Sequence, residues 1–244
     1  MEKANTIKDV RYFESDWLNL DGSPLPQHVG KLFKLSPEIT IVGVRLVRKL
    51  REYNFILGSF DHVYINFTNI LDNYTIKESS RTNERWFKYY DFGVSPDIVN
   101  TMSDTEKYNF ILESTLAVLK LINSNSENLS KIVQAVNEIK EYGDKLEIKC
   151  ATKDTKYYFV EVTHDIQPFG KNSNAYISVL NKKSNQRLRK KMIDLKSWED
   201  VYPLVGNITL SADQIIIKPK ATENAKFYIQ NYETPIVIDL DQFR

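Results

Sequence analysis

The sequence predicts an α+β fold. N-terminal strands and helices, including an antiparallel helical hairpin, precede an antiparallel β-rich half. Three observations carry this. Residues 103–142 hold two runs of apolar side chains at helical spacing, split by the short polar link Ser124-Asn125-Ser126. From Leu146 to Phe243 the pattern turns to alternation, opening with Leu146, Ile148 and Cys150 and closing with Ile236, Ile238 and Leu240. Gly143 lies between the two regimes as a natural C-terminal helix cap. It sets the boundary between an N-terminal subdomain, 1–143, and a β subdomain, 144–244.

In chain order, DVRYFES at 9–15 reads as a first strand, followed by a turn-rich stretch from Asp21 to Pro26. Ser36-Pro37-Glu38 reads as a helix start, with serine as N-cap and proline at the first helical position. Ile39, Val42, Leu46 and Leu50 then share one helical face. The β-branched run Ile39-Thr40-Ile41-Val42 would also suit a strand; the helix is preferred. Phe60–Thr68 alternates Val63, Ile65 and Phe67 against His62, Tyr64, Asn66 and Thr68, the pattern of a strand. Asp72–Glu84 is a polar loop long enough to bind a ligand. Arg85–Val94 is an aromatic-rich strand.

Ser103-Asp104-Thr105-Glu106 is a capping box, opening a helix that runs to about Asn123 and is apolar over much of its girth. A second helix, 127–142, places Leu129, Ile132, Val133, Val136 and Ile139 on one stripe. Beyond Gly143, strands are expected at 145–152, 156–164, 174–181, 187–195, 207–211, 213–219, 225–231 and 235–240. One helical turn is expected at 197–204.

With 42% hydrophobic and 27% charged residues, the chain has the makings of a packed core. Its net charge of +1 supplies no global field for nucleic acid or an anionic membrane. The N-terminus is too charged for a signal peptide, and no apolar stretch is long enough to cross a bilayer. A cytoplasmic location is the expectation. A single cysteine, Cys150, excludes an internal disulfide framework. Scarce glycine beside frequent Asn, Lys, Ile and Tyr is the composition of an AT-rich bacterial or phage genome.

Signatures of chemistry are missing. There is no GxSxG elbow, no GxGxxG or Walker A loop, and no paired Cys/His set for a metal. No cofactor and no metal are expected. Asp91-Phe92-Gly93 spells a kinase triplet without the companion motifs and reads as a strand end. Asp61-His62 and His164-Asp165 are neighbours in strands and should point to opposite faces, so neither is expected to form a dyad. His164 shares a phase with Tyr158, Val160 and Val162 and reads as a packed histidine. Cys150, on the phase of Leu146 and Ile148, reads as an inert thiol.

Two basic clusters stand out, Arg45–Arg51 on the first helix and Arg187, Arg189 and Lys191 on one side of a strand. The plainer reading of the second, a solvated face or a charged edge strand, is preferred over phosphate binding. Tyr, Trp and Arg are the side chains that most often anchor protein interfaces. The candidate partner-binding residues are therefore Arg85, Tyr157, Arg187, Arg189, Lys191 and Tyr228, with the 72–85 loop.

The stretch VRLVRKLR at 44–51 leading into FDHVYINFT at 60–68, then KYYDFGV at 88–94 and the helical hairpin, resembles small bacterial immunity proteins of polymorphic toxin systems. The resemblance spans about half the chain. It implies a cytoplasmic protein that binds a cognate toxin and blocks its active site or its access to substrate. The +1 charge implies a toxin that is not strongly basic. The leading expectation is thus an immunity-type protein without catalytic activity. A nucleic-acid-binding regulator or phage-encoded inhibitor, and an enzyme of unrecognised type built on His164, Asp165 and Cys150, remain the alternatives.

Overall fold

The structure, a computed structural model, describes residues 5–81, 84–123, 125–211 and 213–243. It is an α+β protein that divides into two compact units, 1–143 and 144–244.

The first unit contains β1 (Asn5–Thr6), β2 (Asp9–Ser15), β3 (Gln27–His28), α1 (Pro37–Glu52), β4 (Ile56–Gly58), β5 (His62–Thr68), β6 (Ile76–Glu78), β7 (Phe87–Gly93), α2 (Pro96–Thr101), α3 (Asp104–Ile122) and α4 (Ser126–Tyr142). Five strands form a sheet in the order β3-β2-β5-β7-β6, while β1 and β4 make a small antiparallel pair. The pairs β2–β5 and β5–β7 are parallel, with Tyr12 opposite Ile65 and Ile65 opposite Tyr90; the edge strands run antiparallel. A parallel pair needs a crossover, and α1 lies within the one between β2 and β5. The central strand β5 is buried from Val63 to Thr68. The phase Tyr64–Asn66–Thr68, polar in the alternation pattern, is therefore interior too, as expected for a strand covered on both faces.

Residues 37–52 are helical, because Ile39, Val42, Leu46 and Leu50 form one buried stripe that outweighs β-branched propensity. Ser36 takes the N-cap backbone geometry, but its side chain makes no capping bond. The capping box of α3 forms in full, with the Ser103 N–H donating to Glu106 at 2.7 Å. Asn125 caps α4 by accepting the Glu127 N–H at 2.8 Å. Of the link between these helices, Ser124 lies outside the described residues. Asn128 bonds Asn123 near the link, and Lys140 pairs with Glu113 a few turns away, so the two helices run antiparallel. Gly143 ends α4 at φ 56°, a conformation that favours glycine. Val133 departs from the expected stripe and is exposed; Ala135 takes its place among the buried residues.

The second unit contains β8 (Ile148–Asp154), β9 (Tyr158–His164), β10 (Ser173–Asn181), β11 (Gln186–Leu195), α5 (Val201–Leu204) after a single 3-10 turn at Trp198–Asp200, β12 (Asn207–Leu210), β13 (Gln214–Lys218), α6 (Glu223–Ile229) and β14 (Ile236–Asp239). Strands β8 to β11 form an antiparallel meander, and β12-β13-β14 form a second antiparallel sheet. The core packs Val160, Val162, Ile177 and Val179 of the meander against Val201, Leu204, Ile217 and Ile229. The meander thus has one inner and one outer face.

One expectation is corrected here. Residues 225–231 are not a strand: Thr222 caps the Ala225 N–H at 3.2 Å, and burial falls on Ala225 and Ile229, one helical turn apart. The register of β8 shifts between Lys149 and Ala151, so Cys150 is the extra residue of a bulge, and it packs against the core beside Ala151.

Candidate interaction surface

Alternation along β9, β10 and β11 sends one phase into the core and the other outward. The outward phase carries Phe159 and Glu161 on β9, Tyr176 and Ser178 on β10, and Arg187, Arg189 and Lys191 on β11. Register places Arg189 opposite Ser178 and Ser178 opposite Glu161. A bulge at Met192 lets Lys191 face Tyr176 while Ile193 faces Ala175 on the inner side. The three cations predicted to share a side of this strand do share it, on the sheet's edge strand.

Each cation has a carboxylate. Arg187 lies 3.4 Å from Glu161, which Lys149 reaches at 3.3 Å. Arg189 pairs with Glu147, and its guanidinium lies 3.8 Å from the centre of the Tyr176 ring. Glu147 also accepts the Thr163 hydroxyl at 2.5 Å. Lys191 pairs with Asp194. The side chains of Arg187, Arg189 and Lys191 remain 49%, 45% and 49% exposed. Ion pairs so open to water contribute about 0–1 kcal/mol each. The array therefore does little for stability while holding several long side chains in a fixed pattern of charge.

Next to this face, Asp165 accepts from the Asn174 backbone at 2.9 Å and from the Tyr176 hydroxyl at 3.3 Å. Burial first, and Asp165 next, push the Tyr176 phenol up. Asp165 also opens the loop whose turn, Pro168–Lys171, is closed by Lys171 N–H to Pro168 O at 3.0 Å with Gly170 at φ 85°. Phe169, within that turn, is fully exposed. Sequence reasoning passed over it; the signal was an aromatic inside a Pro-x-Gly turn.

The remaining predicted residues are scattered. Tyr157 occupies the turn between β8 and β9, 59% exposed, where its carbonyl accepts from the Lys182 N–H at 2.9 Å. It borders the Arg187 end of the face. Tyr228 stands on α6, not on a strand, and lines a pocket in the opposite layer. Arg85 belongs to the first unit, with its guanidinium 5.8 Å from the Trp86 ring. Tyr64, read as polar-phase, is buried in an aromatic cluster with Phe13, Phe87 and Tyr89.

The 72–85 loop contains edge strand β6, and Thr82 and Asn83 lie outside the described residues. Arg81 is buried and donates to Asn19 Oδ1 at 2.5 Å, Ser23 O at 2.5 Å and Pro24 O at 3.0 Å. Asn19 N–H in turn donates to Asp91, which accepts from Asn66 Nδ2 at 2.7 Å. This network clips two loops to the ends of the parallel strands.

Asp61 and His62 do bond, at 2.5 Å between Oδ1 and Nδ1. The expectation of opposite faces fails because Asp61 precedes β5; its N–H and that of His62 both donate to Trp86 O. Lys8 holds the other Asp61 oxygen at 2.6 Å. Burial pulls the Asp61 carboxyl up, but the bonds from Lys8 and His62 outweigh it and leave it below the usual range.

His164 is fully buried, with Nδ1 against the Ile148 carbonyl at 3.1 Å. The Asp165 carboxylate is engaged by Asn174 and Tyr176. Burial raises the Cys150 thiol to about 11, so it is protonated and a poor nucleophile near neutrality. Among the described residues, no group of three or more His, Cys, Asp or Glu could hold a metal ion, and no helix is long and apolar enough to cross a membrane.

Comparison with family models, with curated proteins and with solved structures finds no match.

Proposed function

We propose that this chain is a binding protein of immunity type, which neutralises a cognate bacterial toxin in the cytoplasm by protein–protein contact. The contact surface is the outer face of the β8–β11 sheet, extended by the Phe169 turn. One observation carries the reading: Arg187, Arg189 and Lys191 are half exposed and paired with Glu161, Glu147 and Asp194, and the two arginines lie over the rings of Phe159 and Tyr176. Arginine and tyrosine are typical interface anchors, and charges of both signs in fixed register select a partner by complementarity. A polyphosphate would meet Glu147 and Glu161 together with the cations, which weakens the electrostatic term that dominates nucleic-acid binding.

The test is co-purification with the product of the neighbouring gene, where this reading places the cognate toxin. A stable complex at micromolar concentration supports the reading. Failure to co-purify, or tight binding of short DNA or RNA that collapses with salt, refutes it.

A further inference from the structure

The second unit holds a pocket of about 530 Å³ between the 197–204 segment and α6. That volume falls in the range that encloses a small ligand. Its lining includes Tyr202 and Tyr228, and its charged residues are Glu199, Asp200 and Lys220. Tyr202 is held edge-on to His164 at 5.5 Å and to Trp198 at 6.2 Å, so its ring is set by packing. Tyr228 meets Phe227 edge-on at 5.6 Å and is half exposed.

Asp200 is only 8% exposed. Its Oδ2 accepts the Tyr232 hydroxyl at 2.5 Å and the Ser197 N–H at 3.0 Å. Burial and the bond to Asp200 push the Tyr232 phenol to about 12, so it stays a donor. Both bonds fall on Oδ2, which orients the carboxylate and leaves Oδ1 its lone pairs. The charged lining sums to one net negative, Glu199 and Asp200 against Lys220.

We infer that this pocket binds a guanidinium group, such as an arginine side chain presented by a peptide or small ligand. Aromatic faces attract cations, and a guanidinium both stacks on a ring and forks to a carboxylate. An ammonium would satisfy the charge but not the planar walls. Lys220 stands against the cation and sets a threshold that the two rings and two carboxylates must exceed. The inference goes beyond the toxin-binding reading and does not rest on it.

The test is an NMR titration of the isotope-labelled full chain with N-acetyl-arginine amide, beside N-acetyl-glutamate amide and N-acetyl-norleucine amide. The arginine probe should give saturable shifts at the Tyr202, Asn224 and Ala225 amides, and the other two should not. Glu199→Gln and Tyr228→Ala, both at exposed positions, should weaken binding about threefold to fivefold, and Lys220→Gln should tighten it by a similar factor. Tighter binding of the glutamate probe, or loss of binding in Lys220→Gln, would make this an anion site and overturn the inference. Absence of saturable shifts with the arginine probe overturns it as well. The same spectra report whether each variant is folded.

Discussion

The Glu14 carboxylate is fully buried and accepts backbone N–H groups from Gly30, Lys31, Leu32 and Phe33 at 2.8–3.1 Å. A single side chain thus satisfies a whole turn of donors and pins the segment after β3 to β2. Glu14→Ala strands those donors, and urea unfolding should show a loss of about 3 kcal/mol; a loss below about 1 kcal/mol would mean water replaces the carboxylate. Asp91 presents the opposite case. Burial raises its carboxyl above the ordinary 3.8 in spite of the bonds from Asn66 and Asn19. The folded state therefore holds this proton more tightly than the unfolded chain. Its contribution is fully present below 3.8 and is lost as pH rises through the raised folded value. Unfolding free energies of wild type and Asp91→Asn, measured across that window, should converge or cross as pH rises, because only the wild type loses this contribution. A difference independent of pH would show that Asp91 does not titrate there. Neither role was legible in the sequence. Glu14 follows Val10 and Tyr12 on its strand phase and Asp91 follows Phe87 and Tyr89, but backbone donors from a distant turn and an amide on a neighbouring strand leave no mark on the strand that accepts from them.

Helix α1 depends on a close approach at Gly43. A Cβ there would lie 2.5 Å from the Tyr12 hydroxyl, which bonds Thr115 of α3 at 2.8 Å. Gly43→Ala must displace Tyr12 from a buried three-element junction, so it should cost about 1–3 kcal/mol although alanine favours helix. A stabilised variant in thermal unfolding would contradict that packing. At α6, Thr222→Ala removes the cap on Ala225 and should cost about 1 kcal/mol. That helix was misread as a strand because FYI is β-prone, while only Ala225 and Ile229 reach the core. The helical hairpin was legible because its signals are local: a capping box, apolar stripes and a terminal glycine. The parallel centre β2-β5-β7 was not, since strand direction is decided by tertiary crossovers and not by any residue within a strand.

At the scale of the whole molecule, the two units carry different kinds of polar chemistry. In the first, Glu14, Asn66, Asp91 and Arg81 are buried and spent on holding loops to strands. In the second, the β8–β11 sheet keeps its charges at the surface. Strand alternation was enough to place Arg187, Arg189 and Lys191 on one side. It could not reveal Glu147, Glu161 or Tyr176 as their neighbours, because cross-strand register is not written within one strand. Tyr228 fell elsewhere because its segment is the helix α6, and Arg85 because it belongs to the first unit. The central claim is that this face recognises a protein. The most direct measurement is the affinity of the wild type and of the Arg187→Ala/Arg189→Ala double variant for the product of the neighbouring gene, the partner that the proposed reading requires. The variant should fold with near-normal stability, because exposed ion pairs contribute little, and should bind at least about tenfold more weakly, or about 1.4 kcal/mol. Unchanged affinity in a complex that does form would contradict the assignment of this face.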